Sequence, residues 1–424
     1  MGPRLLGFAL LGIAIVTTFG VWYLSSDRSE IPLVFSPVQM IGATWERYKE
    51  NYLEKDTRRT IDRGRGDVTT SEGQSYTMLR AVWMGDKETF DASHRWSKDN
   101  LWRREDRLLA WLFGKRSDGT WGILASEGGY NAASDADTDT ALALIFAYAR
   151  WQDDTYLGDA LAMLDSIWEK EVIEVRSRPY LAANNLEKFS GDEWALINPS
   201  YFNPAAYRIF AKIDPSHPWE TLVESSYDLL ERGMESPLQG GKSAVLPPDW
   251  LLINKSTGEL AAPGRGLTTN FGYDALRSPW RLALDIEWFG SPRARELLQK
   301  MSALSANWER DRSLVSIYTH QGAPASSVES PALYGGVLGH FMEKDPKMAE
   351  EVYRQKLQYL FDPGRNDWKE RLSYYDDNWA WLGIALYNRL LPNLAAPLIA
   401  KGTNFVLPHT SRTPGFAIPS LSAL

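Results

Sequence analysis

Cysteine is absent from the 424 residues, which excludes disulfides, thiolate nucleophiles, Cys-ligated zinc and iron–sulfur clusters. Histidine is scarce: His94, His217, His320, His340 and His409 are scattered and show no His-x-x-x-His or similar ligand spacing, so the pattern builds no transition-metal site. No long basic run accompanies the formal charge of −8, and nucleic acid is therefore not an expected partner. Long alternating strand patterns are scarce as well.

Aromatic residues are plentiful, with 18 Trp and 19 Tyr. Such rings can fill a large helical core or line a cleft. Sugar rings present apolar C–H faces that stack on flat side chains, so the two uses can coexist. The amino-terminal segment from Leu5 to Leu24 carries no charge and has about the length needed to cross a hydrocarbon layer of roughly 30 Å. Arg4 precedes it, and Trp22 and Tyr23 sit at its far end, which predicts a cytoplasmic N-terminus and an exported remainder. Val21 to Ser26 offers only a poor cleavage site. A retained inner-membrane anchor facing the extracytoplasmic side is expected over a cleaved signal and secretion.

From about Ile31 to Asn393, apolar stripes at helical spacing alternate with Gly, Pro, Asn and Asp clusters. Helices are predicted over Val38–Tyr52, Tyr76–Met84, Ala141–Trp151, Leu157–Trp168, Trp219–Arg232, Arg293–Trp308, Lys347–Leu360 and Asn378–Leu391. Leu142, Ile145, Tyr148 and Ala149 show the repeat that turns one face inward. The fold class is all-α. The domain reading is 1–30 anchor or signal, 31–393 one domain of paired helices, and 394–424 a loosely structured tail. The long aromatic segments Arg176–Asn203 and Ser236–Asp274 are expected to build a cleft.

Three acids stand beside small and aromatic residues. Glu72 lies in Thr70-Ser71-Glu72-Gly73-Gln74-Ser75-Tyr76, where Ser71 and Gln74 fit a capping box. Glu72 there fits a first-turn acid complementing the helix dipole as well as a proton donor. The dipole would lower its pKa, whereas a general acid needs it raised, so burial or a neighbouring carboxylate would have to win. Asp135 and Asp137 follow Ser134, a plausible N-cap. A calcium loop starting at Asp135 would need Gly at 140 and Glu at 146, where Thr140 and Phe146 stand. Asp274 is flanked by Tyr273 and Arg277; an Asp–Arg surface pair and a general base are both open readings.

At these residues the chain resembles glycoside hydrolase family 8. Thr70 to Tyr76 is similar to the family's Ser-Glu-Gly-x-x-Tyr segment. Ala133-Ser134-Asp135-Ala136-Asp137, continuing to Trp151, resembles the family signature, with Thr140 departing from the usual Ile or Met. Asn198-Pro199-Ser200-Tyr201-Phe202, Pro247-Pro248-Asp249-Trp250 and Tyr273-Asp274-Ala275-x-Arg277 match in order, over roughly residues 40 to 392. The resemblance implies an (α/α)6 barrel of six helical hairpins with 31–393 as the catalytic domain. It implies Glu72 as general acid, Asp274 as general base, and Asp135 as the central aspartate that contacts the distorted sugar. Trp121 and Tyr201 become sugar platforms, Arg277 a partner of the base, and Tyr375 a further substrate contact. The expected activity is inverting endo-hydrolysis of β-1,4-glucan, cellulose or a cellulose-like exopolysaccharide, with no cofactor and no metal. Xylan, chitosan and mixed-linkage β-glucan are alternatives on the same barrel. A catalytically silent glycan-binding subunit of a polysaccharide synthesis or export system is the alternative from another class; the presence of all three acids speaks against it.

Overall fold

The computed structural model describes residues 35–400 apart from 103 and 265. The apolar segment 5–24 and the tail beyond residue 400 lie outside them. The described residues hold fourteen α-helices and ten strands of two to four residues. None of these helices is long and apolar enough to cross a membrane.

Six helices form an inner ring: α2 (Ser71–Met84), α4 (Ser134–Trp151), α6 (Pro204–Ile213), α8 (Arg277–Phe289), α11 (Pro331–Lys344) and α13 (Tyr374–Tyr387). Each packs on the next in that order. Arg80 of α2 closes the ring on α13, donating to Asp377 at 3.1 Å and Asn378 at 3.0 Å. Every inner helix has an outer partner. These are α3 (Lys87–Asn100) on α2, α5 (Asp154–Lys170) on α4, α7 (Trp219–Glu235) on α6, α9 (Pro292–Lys300) on α8, α12 (Pro346–Val352) on α11, and α1 (Pro37–Tyr52) on α13. A further helix, α10 (Ser302–Asp311), follows α9, and the short α14 (Ala396–Ala400) packs on α6.

The two rings differ in how much of each helix is covered. Outer α5 buries Tyr156, Leu157, Ala160, Met163, Leu164 and Ile167, one stripe at helical spacing. Inner α4 is buried at every residue from Ser134 to Ala147, so its acids must find partners inside. Asp139 does so through a two-pronged pair with Arg281 of α8, at 2.7 and 2.9 Å. Glycine permits the closest inner contact: a Cβ on Gly335 of α11 would strike the Trp379 carbonyl of α13.

Several predicted boundaries shift. Arg293–Trp308 is two helices, α9 and α10, because the backbone leaves helical geometry at Met301 (φ −74°, ψ 37°). Lys347–Leu360 is α-helical only to Val352 and continues as a π-turn over Tyr353–Leu357. Helices α3, α6, α8 and α11 were not expected: α3 is rich in polar residues, and the other three carry proline or glycine within or just before their first turns.

The strands sit in the connections and pair antiparallel as four small sheets. One joins β1 (Thr69–Thr70), β2 (Leu112–Lys115) and β3 (Trp121–Ile123); a hairpin joins β4 (Val172–Val175) and β5 (Arg178–Leu181). A third joins β6 (Trp194–Ile197), β7 (Leu251–Asn254) and β8 (Leu260–Ala261), and a last pair is β9 (Phe361–Asp362) with β10 (Asp367–Trp368). The β6–β7 register sets Ile197 opposite Leu251. It thereby delivers the adjoining residues Asn198 and Trp250 to one place, and these come from the two long segments expected to build a cleft.

Candidate active site

Glu72 is the second residue of α2. Thr70, arriving from β1 in extended conformation, caps the helix by accepting the Gly73 N–H at 3.1 Å. The predicted Ser71–Gln74 capping box does not form. Gln74 is drawn inward instead, accepting the Thr60 N–H at 2.6 Å and donating to Ser93 Oγ and Ser97 Oγ at 3.1 and 3.0 Å. Asp135 likewise stands second in α4. There Ala133, not Ser134, occupies the cap position, and the Ser134 hydroxyl donates to the Ala182 carbonyl at 2.6 Å. Asp274 lies in the turn before α8, whose first residue is Arg277.

Arg277 gathers all three acids. Its Nη1 donates to Glu72 Oε2 at 2.7 Å and to Asp135 Oδ2 at 2.9 Å, and its Nη2 donates to Asp274 Oδ1. The guanidinium is itself fixed, with Nε donating to Ser200 Oγ at 3.1 Å and the Tyr201 ring lying 5.0 Å from its carbon. A planar fork that cannot lose its proton suits such a hub, because it holds carboxyls apart on separate N–H directions.

Asp274 accepts two further hydrogen bonds, from Asn198 Nδ2 at 3.0 Å and Trp250 Nε1 at 3.0 Å. Its loop is positioned by Asp249, whose Oδ1 accepts the N–H groups of Gly272, Asp274 and Ala275 at 3.1, 3.1 and 2.7 Å. Asn198, Ser200, Asp249 and Trp250 had only their place in matching motifs to mark them. The chain contains many similar polar residues, and what singles these out is the β6–β7 pairing.

Burial pushes Glu72 up to about 7, and the negative charges of Asp135 and Asp274 act in the same direction against the pull of Arg277. The side chain keeps 23% of its surface open to the cleft, enough for a substrate oxygen to reach it. Asp135, almost wholly enclosed, is also raised, by burial first, with Arg277 and Arg281 opposing. Asp249 is pushed up to about 7 by burial and by the charge of Asp274, against its three N–H donors.

A cavity of about 440 Å³ opens over these groups, lined by Glu72, Asp274, Tyr273, Tyr375, Asp62 and Arg65. Tyr375 donates its hydroxyl to the Tyr273 carbonyl, and the two rings meet edge to face at 6.0 Å. Tyr201 packs edge-on to Trp250 at 5.9 Å. Tyr201 does not line this cavity, and neither does Trp121. Trp121 stands on β3, 44% exposed, with the Arg59 guanidinium 4.8 Å from its ring. Among the described residues no three ligating side chains converge on a metal position.

A double ring of helices, with a raised carboxyl and a second carboxylate held apart by one arginine at the floor of an open cleft, defines a helical-barrel protein of the glycoside hydrolase class. The family model for glycosyl hydrolases family 8 matches residues 29–373, and the chain belongs to that family. It is 29% identical over 315 residues to Endoglucanase 2 of Ruminiclostridium josui, a match covering 68% of this chain and 62% of that protein. The chain thus spans about three fifths of that relative's length. The endo-1,4-D-glucanase structure from Vibrio fischeri ES114 superposes with a TM-score of 0.68 at 24% identity, covering 81% of this chain and 94% of the other. The β-1,3-1,4-glucanase from Paenibacillus sp. X4 superposes with a TM-score of 0.69 at 20% identity, over 84% and 93%. At these identities the two structures speak for the fold.

Proposed function

We propose that the protein cuts β-1,4-linked glucan chains internally with inversion at the anomeric carbon, Glu72 acting as general acid and Asp274 as general base. The observation that carries this reading is the Arg277 hub, which places one carboxyl on Nη1 and the other on Nη2 beneath the same open cavity. Glu72 accepts the arginine N–H on Oε2, leaving Oε1 to hold the proton. In the reaction that proton passes to the glycosidic oxygen as its bond to the anomeric carbon breaks. Asp274 takes a proton from water as the water oxygen bonds to the opposite face of that carbon. Asn198, Trp250 and Arg277 fix the orientation of the base. Asp135, bonded to the same Nη1 as Glu72, is assigned the modulating role. Tyr375 is assigned a sugar contact within the cavity, Tyr201 a platform beside Arg277 and Trp250, and Trp121 a platform beyond the cavity.

The catalytic unit is taken as residues 31–393. The uncharged stretch 5–24 supports an inner-membrane anchor holding this unit on the extracytoplasmic side, in association with a polysaccharide synthesis or export system. Protein lacking residues 1–30 should release reducing ends from carboxymethylcellulose. Glu72→Gln and Asp274→Asn should each lose at least a hundredfold in kcat while remaining folded. NMR of the first product should show the α-anomer; a β-anomer appearing first would rule out inversion. Parallel assays on xylan, chitosan and mixed-linkage glucan separate the substrates open to this fold.

A further inference from the structure

At the end of β7 remote from Trp250, the β4–β5 turn meets the turn that leads to β8. A second cavity of about 540 Å³ opens there, lined among others by Arg176, Arg178, Arg232, Asp228, Tyr180 and Gly258. Two of the three guanidinium groups share one carboxylate: Arg178 lies 3.8 Å and Arg232 3.4 Å from Asp228. Arg232 also donates to the Gly258 carbonyl. No carboxylate among the described residues lies within ion-pair distance of Arg176. On a chain of net charge −8, this wall is a local excess of positive charge.

The backbone is bent to produce it. Arg176 and Ser177 form the two-residue turn of the hairpin with φ of 50° and 62°, a geometry that favours Asn-Gly and that side-chain-bearing residues rarely adopt. The Arg176 stem crosses Gly258, where a Cβ would stand 3.7 Å from Arg176 Cδ. The floor carries a tyrosine. Tyr180 is 4% exposed overall and lines the cavity, and its hydroxyl is not among the buried atoms.

We propose that this cavity binds an oxyanion group, a carboxylate or a phosphate monoester, carried on a molecule of about monosaccharide size. Guanidinium forks match both oxyanions in pairs of parallel hydrogen bonds. Tyr180 supplies a neutral donor, and the volume exceeds what a bare ion needs and falls within the range of small-molecule pockets.

Titration calorimetry of the full chain with glucuronate, glucose 6-phosphate, inorganic phosphate and glucose tests this. One or both sugar acids should bind saturably. Arg176→Ala/Arg178→Ala should weaken that binding at least tenfold, and Tyr180→Phe about threefold, while hydrolysis of neutral β-glucan and the unfolding temperature stay unchanged. Preference for glucuronate assigns a carboxylate ligand, and preference for glucose 6-phosphate a phosphate. Inorganic phosphate binding as tightly as either sugar acid would overturn the sugar-sized ligand. Absence of saturable binding by the sugar acids, or equal affinity in the double variant, would overturn the site.

Discussion

Glu72 shows how magnitudes settle a competition within one residue. The N-terminus of α2 favours its charged form by roughly 0.3–1 kcal/mol. Burial, with Asp135 and Asp274 close by, moves it from 4.5 to about 7, a differential of roughly 3 kcal/mol at 1.36 kcal/mol per unit, so the protonated form prevails. A general acid works only while protonated, so kcat/KM on a soluble β-glucan should fall as pH rises through about 7, tending to a tenfold loss per unit beyond. A pH–rate profile that is flat from pH 6 to 9 would show that Glu72 is not the proton donor. Sequence proximity predicted the opposing pulls, but their balance depends on how closely Asp135 and Asp274, 63 and 202 positions away, approach in space.

Among the elements, the start of α2 separates what local pattern can and cannot decide. Ser-x-x-Gln reads as a capping box at Ser71, yet β1 holds Thr70 extended and makes it the cap. Thr70→Ala should therefore cost about 1 kcal/mol in denaturant unfolding. Ser71→Ala should cost little, since the buried Ser71 hydroxyl has no partner; equal losses would show that the cap is misassigned. The strongly periodic helices α1, α5 and α7 are legible in the chain because each keeps one apolar stripe against the core. Helices α8 and α11 are not: Pro279 and the Gly335–Gly336 pair read as breakers. In the fold Pro279 occupies the first turn of α8, where its missing N–H costs nothing, and the α11 glycines serve close packing against α8 and α13.

Over the whole molecule, the inner ring encloses charge that the outer ring seals from water. Arg80–Asp377 and Arg281–Asp139 are matched pairs. Asp137 and Glu171 are not. Both are fully buried, and Glu171 has no hydrogen-bond partner on either oxygen. Burial raises both well above the usual carboxyl range; for Glu171 the Asp137 charge adds to this, with Arg104 opposing and Asp106 and Asp135 adding smaller pushes. Because the folded values exceed the unfolded ones, the stability linked to these groups is full below about pH 4. It is lost as pH rises through the raised folded values. Glu171→Gln, which cannot ionise, should unfold at a higher temperature than wild type at pH 8, with the gap closing near pH 4. An equal unfolding temperature at both pH values would show that folding does not raise the Glu171 pKa.

By itself the sequence determined the helical class, the family and the three acids with their arginine, because each rests on local order: period, spacing and motif succession. The tertiary structure alone decided that Arg277 touches all three acids at once, that Asn198, Trp250 and Asp249 hold Asp274, and that Trp121 stands outside the cavity. It also placed Arg176, Arg178 and Arg232 around a second cavity. These facts depend on strand register and ring closure, which join residues far apart in the chain and set the burial that no local pattern records.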